Sequence, residues 1–458
     1  MNALLVLSIA GLAALFSGFS HNKKLAVIVS LLGLAVAFTV NVLDWNTAVR
    51  YYNDMIFVDN YAIAFTGVMA LTMLLIVALF VDYKESVEVP NAEIFALLFF
   101  SLAGGVMLVS YSNLLMLFLG IEILSIPLYI LAGSKRHTLT SNEAAIKYFL
   151  LGAFASAFLL FGIVLIYGVT ASFHIETIAA YIKNANGQPP ALLVAGMFML
   201  IGGLGFKISA APFHFWTPDV YQGSPTIVTT FMSTVVKTAG IAAFYRLFAY
   251  AFPAITAEWI PTISVLAALT MTVGNVTAVF QSSVKRMLAY SGIAHAGYLL
   301  IAFVSISSNP ASSVLYYLIA YAVSTVCAFA VLMVIQHTTG SEEVDGFKGL
   351  SKRSPFLAFI TTVAFISLAG IPPTAGFFAK FYLFSGAVKA GHLWLTIIAV
   401  LNSCIAIYYY FRVITAVYSE GTDSTPVELG TVQKAVMIIT AVLAVALGLF
   451  PEMIISLL

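Results

Sequence analysis

Lys147, Lys207, Lys237, Arg246, Lys380 and Arg412 fall inside long apolar runs, and Glu122 sits in the middle of another, MLFLGIEILSIPLY. One cation near the centre of a membrane helix costs about 2.5–3.5 kcal/mol even on lenient insertion scales, and six left unpaired and dry would cost about 15–20 kcal/mol. Leucine would pack better at each position, so packing alone does not explain them. A buried lysine is suited to carrying a proton. Burial disfavours the charged amine and a nearby carboxylate favours it, so moving one neighbouring charge loads or empties the group. Arginine does not release its proton in this way. Lysines near the middle and arginines nearer the rims therefore fit a proton path better than a fixed ion pair.

Plainer roles compete unevenly. Arg246 and Arg412 have stems long enough to snorkel to an interface. Lys147 follows Glu143 by four residues, the spacing of a local helical ion pair. Lys207, Lys237 and Lys380 have no acid close in sequence, and Glu122 needs a partner from another helix. His214 in PFHFW and His295 in YSGIAHAGY carry a side chain that titrates near neutral pH and are candidate relays, although a hydrogen-bonded structural role fits both equally well. Lys285 is a third candidate relay. Gly202, Gly203 and Gly205 lack the spacing and strand–turn–helix setting of a phosphate-binding loop.

The elements that must hold these groups follow from composition. Of 458 residues, 61% are hydrophobic and 9% charged, with a mean hydropathy of +1.03. A soluble domain carries about 25% charged residues. Too little polar surface remains to cover a globule in water. This is a membrane protein, which excludes secreted disulfide scaffolds and cytosolic enzymes. A net charge of +1 argues against nucleic acid as a partner. Cys327 and Cys404 stand singly in apolar runs, so neither iron–sulfur nor zinc ligation is expected. The 36 Phe and 22 Tyr read as packing and lipid-facing residues rather than a quinone site. Residues 1–19 lack a basic leader and read as a retained first span.

Runs long enough to cross a membrane number about fourteen: 3–19, 24–43, 61–81, 93–109, 113–132, 145–169, 191–211, 226–250, 261–281, 287–305, 312–338, 355–386, 393–418 and 433–456. Residues 172–184 place Ile175, Ile178, Ala179 and Ile182 at helical spacing and predict a helix lying along the membrane surface. With the N-terminus outside, the inner loops hold Lys23, Lys24, Lys84, Lys135, Arg136, Lys285, Arg286, Lys348, Lys352, Arg353 and Lys434. The outer loops hold only Arg50, Lys183 and Lys389. Eleven against three places both termini outside.

Two spans carry prolines at membrane depth: Pro212, Pro218 and Pro225 in one, and the pair Pro372–Pro373 in the other. Each helix is predicted to break there, beside Lys207 and Lys380 respectively. Broken backbone in a membrane is tolerated where protein or water satisfies the freed groups, and it marks ion sites in transporters. Five spans separate the two breaks. Five is odd, so the second unit enters the membrane from the opposite face. The expected organisation is an all-α, antiporter-like polytopic fold. Residues 1–92 supply three N-terminal helices, 93–250 and 261–418 form two inverted five-helix repeats with discontinuous helices, and 419–458 add a C-terminal helix.

The stretches PFHFWTPDVYQGSPT (212–226), SSVKRMLAYSGIAHAGYLL (282–300) and LAGIPPTAGFFAKFYLF (368–384) closely resemble subunit N of bacterial NADH–quinone oxidoreductase (respiratory complex I), the counterpart of mitochondrial subunit 2. Sister subunits L and M, and multisubunit cation/proton antiporter proteins, share the architecture but not the first motif. The resemblance implies a proton channel in which the fifth-span glutamate is Glu122 and the sixth-span lysine Lys147. Its seventh-, eighth- and twelfth-span lysines fall on Lys207, Lys237 and Lys380. It also implies that FMN, iron–sulfur clusters and quinone belong to partner subunits, with no cofactor in this chain. The expected partners are other membrane-arm subunits, the antiporter-like sisters among them, in a bacterial inner membrane with both termini periplasmic. The alternative is a subunit of a cation/proton antiporter, which the buried charges fit as well.

Overall fold

A computed structural model describes the chain except residues 21–22, 84–88, 186–187, 309 and 422–425, and the side chains of Lys23 and Ser307. Lys84, counted above with the inner loops, lies outside the described residues.

The chain is almost wholly helical. Helices α1 (Asn2–Ser17), α2 (Lys23–Leu43), α3 (Asn60–Leu79), α4 (Asn91–Ser110), α5 (Leu114–Ala132) and α6 (Leu139–Thr170) precede a short α7 (Ile175–Asn184). A broken pair follows, α8 (Ala191–Ile208) and α9 (Trp216–Gly223), then α10 (Thr226–Tyr250), α11 (Thr256–Val279), α12 (Val284–Val304) and α13 (Ala311–Thr339). A second broken pair, α14 (Pro355–Ala369) and α15 (Ala375–Lys389), leads to α16 (Leu393–Tyr418) and α17 (Thr431–Leu449). Among the described residues twelve helices are long and apolar enough to cross a membrane, and α1 and α14 are shorter apolar helices. A two-stranded hairpin, Val49–Tyr51 with Ile56–Val58, was not anticipated.

Helix ends follow local chemistry. The side chains of Asp59, Asn113, Ser283 and Ser354 accept backbone N–H bonds at the starts of α3, α5, α12 and α14. Gly370, at φ +81°, closes α14 in the left-handed conformation that costs glycine little. The predicted surface helix is α7. Its Ile175, Ile178 and Ile182 are buried, and ten residues are too few to span.

Both proline breaks occur. The run 191–211 ends its helix at Ile208, and the run 355–386 splits at residues 370–374. Pro218 sits inside α9 without breaking it. It lies in the first turn, where no intrahelical N–H partner is lost, and Pro225 caps α10. The stretches 91–250 and 256–418 share an order: three unbroken membrane helices, one broken, one unbroken. α10 is buried along its length and α12 and α13 nearly so, while α6 turns most of its surface outward.

Cross-links tie the loops into two ends. At one, the Arg50 guanidinium on the hairpin bonds both carboxylate oxygens of Glu176 on α7 and holds that carboxyl below its usual range. Arg246 belongs here and does not snorkel, which corrects the first of the arginine expectations. It is 2% exposed, its Nη1 donates to Asp59 at 3.0 Å, and the Tyr111 and Val109 carbonyls accept at 3.0 and 3.1 Å. Arg412 is half-buried and donates to the Val279 and Gln281 carbonyls, just where α11 ends. At the other end, here called the basic end, Asp82 caps α17 by accepting from the Val432 and Gln433 amides.

Two outcomes follow. Removing one partner of a buried ion pair costs about 3–5 kcal/mol, whereas removing both is close to neutral. Asp59→Ala is therefore expected to lower the Tm in detergent. Asp59→Ser with Arg246→Met, which keeps the cap and deletes both charges, is expected to recover most of the loss. A methyl group at Gly376 would lie 1.7 Å from the Ser367 carbonyl oxygen. Gly376→Ala is expected to force the half-helices of the second break apart and lower the yield of folded protein, read by size-exclusion chromatography. A normal yield and Tm would refute that packing role.

Candidate functional site

Each central lysine is buried and held by a neutral acceptor. Lys207 is 5% exposed in the last turn of α8, and its Nζ donates to Ser125 Oγ on α5 at 2.7 Å. Ser125 stands one turn beyond Glu122, close enough for the carboxylate to act on the amine through space. Glu122 is half-buried and accepts from Ser156 Oγ on α6, so the partner it needed from another helix is a hydroxyl. Tyr148 lies under the Lys207 ammonium at 5.9 Å and stacks on Trp216 of α9 at 4.6 Å.

Lys237 is 2% exposed and immediately follows a π-helical turn, Met232–Val236, within α10. Its Nζ donates to the Gly292 carbonyl of α12 at 2.5 Å. A methyl group at Gly292 would meet the Tyr321 hydroxyl tightly at 3.1 Å and Lys237 Nζ at an ordinary contact distance of 3.5 Å. The stem of Lys207 packs on Gly240, one turn past Lys237, where a methyl group would lie 3.6 Å from Cγ. The Lys207 stem thus packs on the helix that carries Lys237.

Lys380 sits in α15, beyond the second break. Its Nζ donates to the Ala369 carbonyl at 2.8 Å, the free end of α14, and lies 4.9 Å above the Tyr298 ring. Gly370 makes this possible, since a methyl group there would fall 2.9 Å from Lys380 Cδ and 3.2 Å from Nζ. His295 of α12 lies between, within electrostatic reach of both Lys237 and Lys380. Its Nδ1 meets the Tyr317 hydroxyl at 2.7 Å and its Nε2 the Tyr410 hydroxyl at 3.3 Å; Tyr410 also bonds Ser291. Hydroxyls either donate or accept, so this ring keeps a partner on each nitrogen in either tautomer and when doubly protonated.

The remaining candidates lie elsewhere. Lys147 is not part of the buried line. It is 38% exposed at the basic end and pairs with Glu143, as its spacing suggested, and with Asp219 of α9, each at 2.6 Å. Asp219 also binds Arg286 at 2.9 Å, a bridge invisible in sequence because its three members come from α6, α9 and α12. Lys285 was counted with the loops but is 1% exposed at the start of α12, donating to the Ser224 and Gln222 carbonyls at 2.6 and 3.2 Å. His214 is buried in the first break with Nδ1 lacking a hydrogen-bond partner, and none of its described contacts joins it to the central lysines. Among the buried tyrosines, Tyr298, Tyr317, Tyr321 and Tyr410 lie against His295, and Tyr298 also against Lys380. The glycine slots and Ser125 were likewise missed, since neither type announces a lysine partner.

Residues 110–406 match the family described as "NADH:quinone oxidoreductase/Mrp antiporter, TM". NADH-quinone oxidoreductase subunit N of Trichlorobacter lovleyi is 45% identical over 90% of this chain and 86% of its own length. The same subunit of Cytophaga hutchinsonii is 43% identical over 100% and 99%. Among solved structures, a chain of respiratory complex I from Thermus thermophilus superposes with a TM-score of 0.86 at 35% identity, covering 99% of this chain and 98% of its own. A chain of the Mrp complex from Dietzia superposes at 0.87 with 21% identity, covering 100% and 96%, a likeness of fold. Buried lysines beside two broken helices, and a full-length match at this identity, place the chain in the NADH–quinone oxidoreductase subunit N family.

Proposed function

We propose that the chain is a membrane-arm subunit of NADH–quinone oxidoreductase and moves protons across a bacterial inner membrane. Electrons pass from NADH to quinone on partner subunits that hold FMN and iron–sulfur clusters. Protons pass here along Glu122, Lys207, Lys237, His295 and Lys380. One observation carries the reading: three buried ammonium groups rest on neutral oxygens, none of them in an ion pair among the described residues. A buried amine held that way gains or gives up its proton when one nearby charge moves. Glu122, at the half-buried edge of α5, is placed to supply that movement from a neighbouring subunit.

Lys147 and Lys285 serve at the basic end, which the excess of Lys and Arg assigns to the cytoplasm with both termini periplasmic. His214 has no partner to relay to in this arrangement. The inverted units 93–250 and 261–418 would supply half-channels opening to opposite faces.

Lys207→Ala and Lys237→Ala are each expected to lower NADH-driven acidification of membrane vesicles by about a hundredfold, the contribution of one positioned proton carrier. Complex abundance and NADH oxidation by an artificial acceptor should stay normal. Lys237→Arg keeps the charge but does not release a proton, and is expected to fail like alanine. Full pumping by the arginine variant would eliminate the proton-carrier role. A cation/proton antiporter would give the same alanine phenotypes; it is separated by purification, because only the proposed subunit brings NADH-oxidising activity with it. Gly370→Ala, which crowds the Lys380 ammonium and strains the backbone at φ +81°, should depress acidification per assembled complex.

A further inference from the structure

At the basic end Lys135, Glu143, Asp219, Gln222, Lys285 and Gln336 line a cavity of about 440 Å³. A second cavity of about 460 Å³ shares Lys135 and Gln336 with it. Polar groups on every side and room for on the order of ten waters make this a wet antechamber. Lys135, in the loop between α5 and α6, is pushed down to about 8 by burial and by Lys285. Its amine therefore exchanges protons near neutral pH.

The floor of the antechamber meets α10. The Thr226 hydroxyl donates to Gln336 at 2.8 Å, so the first residue of α10 touches a side chain of the cavity wall. Thr230, Ser233 and Thr234 follow one turn and two turns further on, and Lys237 follows them. Thr226, Thr230 and Thr234 are 0% exposed, Ser233 is 1% and Lys237 is 2%. The hydroxyls donate to backbone carbonyls of their own helix, at 2.8 Å for Thr230, 3.0 Å for Ser233 and 2.6 Å for Thr234. Their oxygen lone pairs remain able to accept. Tyr321 on α13, which packs along this stretch, adds a hydroxyl beside Lys237. Each hydroxyl is satisfied where it stands, yet together they line one face of α10 from the cavity to buried Lys237, with lone pairs free to accept.

We propose that this antechamber is the proton intake and that the hydroxyls of Thr226, Thr230, Ser233 and Thr234 carry the proton from it to Lys237. The inference rests on the proton-moving role of Lys237 given above. Successive hydroxyls are about one turn, or 5.4 Å, apart, twice the reach of one hydrogen bond, so one water between each pair completes the wire. At each step an oxygen accepts a proton on a lone pair and releases its own proton onward. No charge is left behind, and the last proton binds the Lys237 amine.

The test uses the assembled complex in native membrane vesicles. Thr230→Val with Ser233→Ala removes two hydroxyls at nearly constant volume. Acidification per NADH oxidised is expected to fall about tenfold, less than loss of a carrier itself because extra water bridges part of the gap. Thr230→Ser, which restores the hydroxyl, is expected to recover it. Lys237→Ala is measured beside them. Normal acidification in the hydroxyl variants with loss in Lys237→Ala overturns the intake and leaves the proton-carrier reading standing. Normal acidification in Lys237→Ala overturns the reading itself. A Thr230→Ser variant as impaired as Thr230→Val assigns the effect to packing and also overturns the intake. If the double variant does not assemble, the single Thr230→Val is read by the same criteria.

Discussion

A cation in an apolar interior must find oxygens, and Lys380, Lys285, Arg412 and Arg246 find them in carbonyls at the end of a helix. The last carbonyls of a helix have no intrahelical donor and carry the negative end of its dipole. Ala369, at the end of α14, receives Lys380. Gln222 and Ser224, at the end of α9, receive Lys285. Val279 and Gln281, at the end of α11, receive Arg412, and Val109 and Tyr111, at the end of α4, receive Arg246. An unbroken span offers such ends only at the membrane surface. The break at residues 370–374 brings one to membrane depth, where Lys380 uses it.

Access to those oxygens depends on missing side chains. Gly370 is the clearest case, since a methyl group there would crowd the Lys380 stem and ammonium, and at Gly292 it would crowd the Tyr321 hydroxyl beside Lys237. At Gly292 the acceptor is a carbonyl inside α12 that already serves its own helix. A carbonyl has two lone pairs, and without a β-carbon the second is open to Lys237. Lys207 has neither a helix end nor a glycine as acceptor and uses Ser125, whose hydroxyl also donates to Ile121. Close backbone approach and a small residue therefore set where each positive charge resides.

Much of this was legible in the sequence, for definable reasons. Long apolar runs and proline removal of a backbone donor act locally, so the helices and both breaks could be read without knowing what packs on what. A lysine in an apolar run is likewise costly wherever it ends up. The misreadings concern contacts between distant elements. Arg246 was open to snorkelling until Asp59, 187 residues away, was seen beside it. Lys147 shared a helix with Glu143, which was visible, and a salt bridge with Asp219, which was not. The tyrosines around His295 come from α12, α13 and α16, and no spacing within one helix predicts their convergence.

Arg246 and the three central lysines differ in how fully their donors are used. Arg246 spends its donors on a carboxylate and two carbonyls, and its guanidinium faces the rings of Phe57, Tyr61 and Tyr250. Nothing about it needs to move. Lys207, Lys237 and Lys380 each have one hydrogen-bond acceptor among the described residues, although an ammonium carries three donors. A cation kept only for packing would be expected to use most of its donors, as Arg246 uses three of five on oxygen, since each unsatisfied one is expensive in a buried interior. Two spare donors on a lysine are useful when water or a neighbouring hydroxyl must reach it, because a proton leaves an amine along a donor it is not using to hold its place. The fixed acceptor keeps the nitrogen in position, and the spare donors make it a carrier.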